Sequence, residues 1–278
     1  MVLTGLAALA ATSPCSAESR RLNSDHPQAL RLFEEGLEQV DAEQFDRAAE
    51  NFRQAVELDP GFMQAHFRYM DVLRGIGRNE QMIEEYRKQA EQNPKSARCL
   101  YLYGRALEDL DLKRARYRDA LQLDPGYYWA QYGIGAIYLV QRRYDEAIIA
   151  FNKTLEMNPQ MVEAIHLLGT VYLEKGMPIQ ARERFEEAAA IDSTNHMIYL
   201  SLGQVYSQMD RYESAEKAFR QAAAISPKYP MTYYYLGLVC ELQGRNEQAV
   251  IEYENFLRLA PGHELSSVVT DNIKKLRK

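Results

Sequence analysis

Apolar residues along this chain recur at helical spacing, in paired amphipathic stretches joined by short polar turns. The pattern is clearest over residues 128–159. From Tyr128 to Gln141, Ile134, Tyr138 and Leu139 fall at i, i+4 and i+5, with Ile137 alongside. From Tyr144 to Leu155, Ala147, Ile148, Phe151 and Leu155 share one face. Each spacing predicts a helix with one buried stripe. Gln141-Arg142-Arg143 makes the turn, and Asn158-Pro159 stops the second helix, because proline lacks a donor and restricts the residue before it. Gly135 lies inside the first helix, where glycine costs about 1 kcal/mol relative to alanine. A close approach of the two helices at Ala147, where neither residue has bulk, would offset that cost.

The unit recurs along the chain, over residues 29–62, 63–96, 97–127, 128–161, 162–195, 196–229 and 230–263. A small residue sits in the first helix at Gly36, Gly104, Gly135, Gly169, Gly203 and Gly237. An aromatic residue sits in the second at Phe52, Tyr86, Tyr117, Phe151, Phe185, Phe219 and Tyr253. Prolines close the units at Pro60, Pro94, Pro125, Pro159, Pro227 and Pro261; the fifth unit has Ser193 after Asp192 instead, residues that still suit a helix cap.

This arrangement resembles the tetratricopeptide repeat, a pattern of 34 residues with large residues at positions 4, 7, 11 and 24, small ones at 8, 20 and 27, and proline at 32. Residues 128–161 depart from it at Gln131 and Thr154, whereas residues 196–229 fit throughout. The resemblance implies an all-α fold: a right-handed α-solenoid superhelix of helix-turn-helix repeats. Residues 264–278 read as a C-terminal capping helix, with Leu265, Val268, Val269, Ile273 and Leu276 on one stripe. Two units are irregular. In the second, Met70, Met82 and Gln89 stand where small residues are expected, so its helices should sit farther apart. In the third, Gly104 and Tyr117 are 13 positions apart where the pattern expects 16, and Lys113 falls at a small position. The missing residues come from the end of the first helix or the turn. Either this is drift in a surface turn, or it alters the stacking step and shapes a local pocket.

Composition changes this picture little. Of 278 residues, 46% are hydrophobic and 26% charged, which fits a folded chain. The net charge of -6 argues against nucleic acid, whose phosphates need a basic face. No apolar run is long enough for a transmembrane segment. Residues 1–28 begin with MVLTGLAALAA and TSPCSAES, which resembles an export signal without its basic start, followed by a polar lead-in. Export to a periplasmic or envelope location is the expectation, and a cytoplasmic chain the alternative. Cys15 suggests lipidation, but Thr12-Ser13-Pro14 before it matches a lipobox poorly. Cys99 and Cys240 read as buried small hydrophobes.

Catalytic motifs are lacking. His26, His66, His166, His196 and His263 form no HExxH pattern, and neither a phosphate-binding glycine loop nor a GxSxG nucleophile occurs. The expectation is a non-catalytic chain with no cofactor and no metal. In the family that this chain resembles, first helices line a concave surface, and positions 2, 5, 9 and 12 tend to face it. These positions supply the candidate groove residues Phe67, Tyr101, Arg105, Trp129, Tyr132, Leu139, His166, Leu173, Met197, Leu200, Gln204 and Tyr234. The set is largely apolar and aromatic, which suits an extended or helical apolar segment of a protein or peptide partner. A packing role against the neighbouring repeat is the competing reading at position 5. Family members that grip acidic chain ends use Lys, Asn or Arg at positions 5 and 9. Only Arg105 is cationic there, which disfavours such a ligand. The alternative function is a structural subunit of an envelope complex, a homo-oligomer or multi-protein assembly using outer faces or ends.

Overall fold

The computed structural model describes residues 24–277, so the export-signal and lipidation expectations lie outside the described residues. Among the described residues all regular structure is helical. The helices run in antiparallel pairs: α1 (Pro27–Asp41) with α2 (Phe45–Leu58), α3 (Met63–Gly75) with α4 (Asn79–Gln92), α5 (Ala97–Ala106) with α6 (Leu110–Leu123) and α7 (Tyr128–Val140) with α8 (Tyr144–Met157). There follow α9 (Val162–Glu174) with α10 (Pro178–Ile191), α11 (His196–Gln208) with α12 (Tyr212–Ile225), α13 (Pro230–Leu242) with α14 (Asn246–Leu259), and the single α15 (Ser266–Leu276). The chain divides into two compact units between Gly133 and Ile134, within α7.

Six of the hairpin turns share one device. The second turn residue takes a positive φ, at Glu43, Gly77, Arg142, Gly176, Asp210 and Gly244. Such a left-handed residue reverses the chain directly after a helix end and lets following N–H groups reach back to its last carbonyls. Arg143 N–H thus donates to the Tyr138 carbonyl at 2.8 Å, and Arg245 N–H to that of Cys240 at 2.9 Å.

Within the regular hairpins, the glycine at the small position of the first helix faces an aromatic ring. In the first unit a Cβ on Gly36 would lie 2.6 Å from the Phe52 ring. In the second unit the same relation joins Gly135 to Phe151 at 2.8 Å, Gly169 to Phe185 at 2.7 Å, Gly203 to Phe219, and Gly237 to Tyr253. This corrects the expectation for Gly135. The three atoms nearest its missing Cβ all belong to the Phe151 ring, not to Ala147. The glycine makes a hole and the ring fills it, leaving Phe52, Phe151, Phe185 and Tyr253 without measurable exposure.

The irregular hairpins show what happens when the device changes. Met70 and Met82 are wholly buried, and α3 and α4 stand farther apart than α1 and α2, as the larger residues predict. Tyr86, with no glycine to cover, instead places its hydroxyl 2.9 Å from His66 Nδ1. His66 Nε2 lies 3.1 Å from the Pro60 carbonyl. A carbonyl only accepts, so Nε2 carries the proton and Nδ1 accepts from Tyr86. In the third hairpin the loss falls on the helix: α5 has 10 residues where α3, α9, α11 and α13 have 13. Its turn lacks the positive φ, and Asp109 caps α6 by accepting from the Asp111 and Leu112 N–H groups at 2.9 and 2.8 Å.

In the second unit α15 lays Val269 and Ile273 over Cys240, Tyr253 and Phe256. This explains how Phe256 fits where the repeat expects a small residue. It faces a single helix rather than another hairpin, and packs its ring 5.4 Å from His263.

Two predictions follow from this packing. Gly135→Ala should destabilise the chain by about 1–3 kcal/mol through overpacking, despite the better helix propensity of alanine. Adding Phe151→Leu should recover part of the loss in a double-mutant cycle of urea midpoints, and additive effects would refute the ring contact. The second concerns His66, whose pKa burial lowers from 6.5 to about 4, opposed in part by the Pro60 carbonyl. The unfolded chain therefore takes up a proton first. The contribution of neutral His66 is complete above pH 6.5 and is lost as pH falls towards 4, amounting to roughly 3 kcal/mol. Urea midpoints for His66→Gln should depend less on pH across that window, and an unchanged dependence would exclude His66 as a source.

Candidate partner-binding surface

In the first unit the sequence-predicted residues Phe67, Tyr101, Arg105, Trp129 and Tyr132 form one connected cluster. Phe67 on α3 meets Trp129 on α7 edge to face, with ring centroids 5.0 Å apart, and Tyr101 on α5 lies 6.3 Å from Phe67. Trp129 in turn stands perpendicular to Tyr132 at 6.1 Å. The Arg105 guanidinium covers the Phe67 ring at 4.1 Å, a favourable cation–π placement. Three first helices are thus joined by aromatic contacts on one face.

Depth sorts these residues. Tyr101 is 1% exposed and Trp129 7% exposed, so both pack inside the unit and support the surface rather than line it. Phe67, Arg105 and Tyr132 are partly exposed. The reason lies in Tyr117 on α6. Its ring stacks on Tyr101 at 5.2 Å, and it meets the bare backbone of two helices, Gly104 on α5 and Gly133 on α7. Gly133 escaped notice in the sequence, where only the glycine at the regular repeat position stands out. Tyr127, also unremarked, approaches Tyr101 at 5.7 Å and points its hydroxyl at Met63 Sδ at 3.8 Å.

The first unit also holds a set of charges, of which the repeat pattern singled out Arg105 and Lys113 but not Arg74. Arg74 on α3 donates to the Arg105 carbonyl at 2.8 Å and pairs with Asp71 at 3.4 Å. Arg105 Nε is buried without a hydrogen-bond partner among the described residues. Lys113 on α6 is held down to about 8 by burial, then by the fields of Arg74 and Arg105. Burial pushes the Asp71 carboxyl up, against the fields of Arg105, Arg68 and Arg74.

In the second unit the candidates are Leu139, His166, Leu173, Met197, Leu200, Gln204 and Tyr234. Leu200 is 5% exposed and belongs to the core with Phe219 and Leu236, so it is not surface. Met197 packs at the edge of that core, and Leu173 at the edge of the one around Phe185. His166 Nε2 lies 2.9 Å from Ser201 Oγ, tying α9 to α11, and burial lowers its pKa to about 4. Gln204 on α11 bonds to Tyr235 on α13. Tyr234 is half-buried, 5.8 Å from the Phe256 ring. Leu139 is partly exposed near the end of α7.

Among the described residues no group of three or more His, Cys, Asp or Glu side chains is placed to hold a metal, and no helix is long and apolar enough to cross a membrane.

Repeated antiparallel hairpins, closed by an aromatic ring over a glycine, define an α-helical solenoid-repeat protein. Family models described as tetratricopeptide repeat match residues 33–88, 128–161, 160–228 and 200–264, together more than half of the chain. The chain belongs to the tetratricopeptide-repeat family. The stretch between two of these matches, residues 89–127, holds the shortened α5 and Tyr117. Among solved structures, a tetratricopeptide repeat protein from Parabacteroides merdae superposes with a TM-score of 0.57 at 18% identity, covering 90% of this chain and 99% of that one. YrrB, described as a TPR protein with an unusual peptide-binding site, gives 0.53 at 22% identity, over 68% and 99% of the two chains. MamA from Desulfovibrio magneticus gives 0.53 at 17%, over 66% and 97%. Identities this low show a shared fold alone. Comparison with curated proteins gives no match.

The depth of Trp129 makes a prediction about its role. Trp129→Ala should destabilise the chain by about 3–5 kcal/mol, as for other buried large aromatics. A urea midpoint within error of the parent would instead make Trp129 a free surface anchor.

Proposed function

We propose that this chain is a non-catalytic protein-interaction scaffold. It holds an apolar or aromatic-containing peptide or helix against its first helices. The carrying observation is the first-unit face where Phe67 and Tyr132 stay partly exposed over a floor of Tyr101 and Trp129, with Arg105 on the Phe67 ring. Aromatic side chains held rigidly by packing lose little entropy on contact, and aromatic residues and arginine dominate binding hot spots. Family membership supports the reading, since tetratricopeptide-repeat proteins bind proteins and peptides. YrrB is one member of the fold described with a peptide-binding site. In the second unit the partly exposed Met197, His166, Gln204 and Tyr234 offer a comparable mixture of apolar and hydrogen-bonding groups.

The test places a photo-crosslinking residue at position 132 in cells that make the protein, and identifies the adducts by mass spectrometry. Adducts should map to one apolar or aromatic segment of a partner, and Tyr132→Ala should lower recovery of that partner by tenfold or more, about 1.4 kcal/mol. Recovery unchanged by Tyr132→Ala, with crosslinks elsewhere on the surface, would refute this face as the binding surface.

A further inference from the structure

The second hairpin has Met70 where the other hairpins have a glycine, so α3 and α4 lack the ring contact that holds their counterparts together. A buried histidine ties them instead. His66 on α3 reaches the Pro60 carbonyl in the α2–α3 turn through Nε2, and the Tyr86 hydroxyl on α4 through Nδ1. The turn is itself anchored: the Phe62 ring lies 4.8 Å from Phe33 on α1, and Asp59 accepts from the Gly61 N–H at 2.8 Å. The same joint recurs in the second unit, where Tyr233 donates its hydroxyl to the Pro227 carbonyl at 2.8 Å. Tyr233 and His66 occupy the same repeat position, as do Pro227 and Pro60. The second hairpin thus has an imidazole, which titrates in the acid range, where the seventh has a phenol.

Hydrogen-bond chemistry makes this joint conditional on the proton count. Neutral His66 donates to Pro60 and accepts from Tyr86, whereas an imidazolium donates at both nitrogens. Burial raises the pKa of Tyr86 well above 10, so its hydroxyl keeps its proton, and it makes no other hydrogen bond among the described residues. Two donors would therefore face each other. Turning the hydroxyl to accept would leave its proton unpaired in the core, which is costly. The charged groups that reach His66 are Arg98 on α5, which opposes a further positive charge, and Asp59 in the α2–α3 turn, which favours it. Asp59 is already engaged by Gly61, and no carboxylate bonds the His66 ring among the described residues.

We infer that His66 is an acid-operated latch: its protonation releases α3 from α4 and from the α2–α3 turn, and so dismantles the aromatic face of the first unit. Phe67 follows His66 directly and meets the Trp129 ring at 5.0 Å, so a shift of α3 takes Phe67 away from Trp129. The consequence for a bound partner rests on reading that face as the binding surface; the opening itself does not. Its direction follows from burial, which lowers the pKa of His66 from 6.5 to about 4 in the closed hairpin. The ratio of open to closed hairpin therefore rises about tenfold per pH unit as pH falls from 6.5 to 4, roughly 300-fold in all.

Trp129 is the sole tryptophan, so acrylamide quenching of its fluorescence reads the opening in the full chain with no partner present. Quenching should increase reversibly as pH is lowered through this window. Hydrogen exchange, corrected for intrinsic rates, should show residues 63–92 losing protection by about tenfold per pH unit over the same range. In His66→Gln, whose amide can donate to Pro60 and accept from Tyr86 at any pH, both responses should be lost. Nitrogen-15 shifts of the His66 ring in the parent give a check that needs no variant. They should place the proton on Nε2 at neutral pH, with uptake of the second proton coinciding with the rise in quenching. The latch is overturned by quenching that stays flat while His66 takes up its second proton, by a folded His66→Gln that responds like the parent, or by a ring with its proton on Nδ1. Flat quenching leaves the binding surface standing, whereas partner recovery unchanged by Tyr132→Ala removes that surface and leaves the latch.

Discussion

An aromatic ring seated over a helical glycine is the contact on which the regular hairpins depend. The glycine alone is unfavourable, costing about 1 kcal/mol in helix propensity. It is retained because a ring of the partner helix enters the space that its side chain would fill, as Phe52 does at Gly36 and Phe185 at Gly169. Burying a large aromatic side chain contributes roughly 2–3 kcal/mol, more than the propensity lost. The same contact fixes how closely two helices approach, and so which side chains on the first helix turn inward and which are left for another surface.

Where the contact is altered, the hairpin acquires polar or charged structure. The second hairpin has Met70 at the glycine position, and its aromatic residue, Tyr86, turns its hydroxyl to a buried histidine. The third keeps Gly104 but loses a helical turn. Tyr117 then serves two hairpins, sitting between Gly104 and Gly133 and stacking on Tyr101. The aromatic cluster and Arg105 both lie near this ring.

Much of this was legible in the residues, and the limits are instructive. Gly36, Gly135, Gly169, Gly203 and Gly237 announce close helix approach through spacing alone. What they approach was misread at Gly135, because pairing two small residues overlooks the better complement of a hole and a ring. Repeat position gives the face of a side chain but not its depth. Tyr101, Trp129 and Leu200 occupy candidate groove positions and yet are buried, since neighbouring first helices close over them. The cation cluster was harder still. Arg74, Arg105 and Lys113 occupy different repeat positions on different helices, so no periodic comparison aligns them. Arg105 at a candidate groove position and Lys113 in place of a small residue were the visible signs.

Net charge and local charge lead to different conclusions about partners. At -6 the chain as a whole repels anions, which disfavours nucleic acid as a partner. At physiological salt, however, exposed charges are screened beyond about 8 Å, whereas buried ones are screened much less. The burial that lowers the Lys113 pKa and conceals Arg105 Nε thus shields their field from the acidic surface. At short range Lys113 therefore feels its own burial and the fields of Arg74 and Arg105 rather than the average of the molecule. Charge at this end of the first unit is therefore set by the shortened helix that gathers those cations, rather than by the composition of the chain.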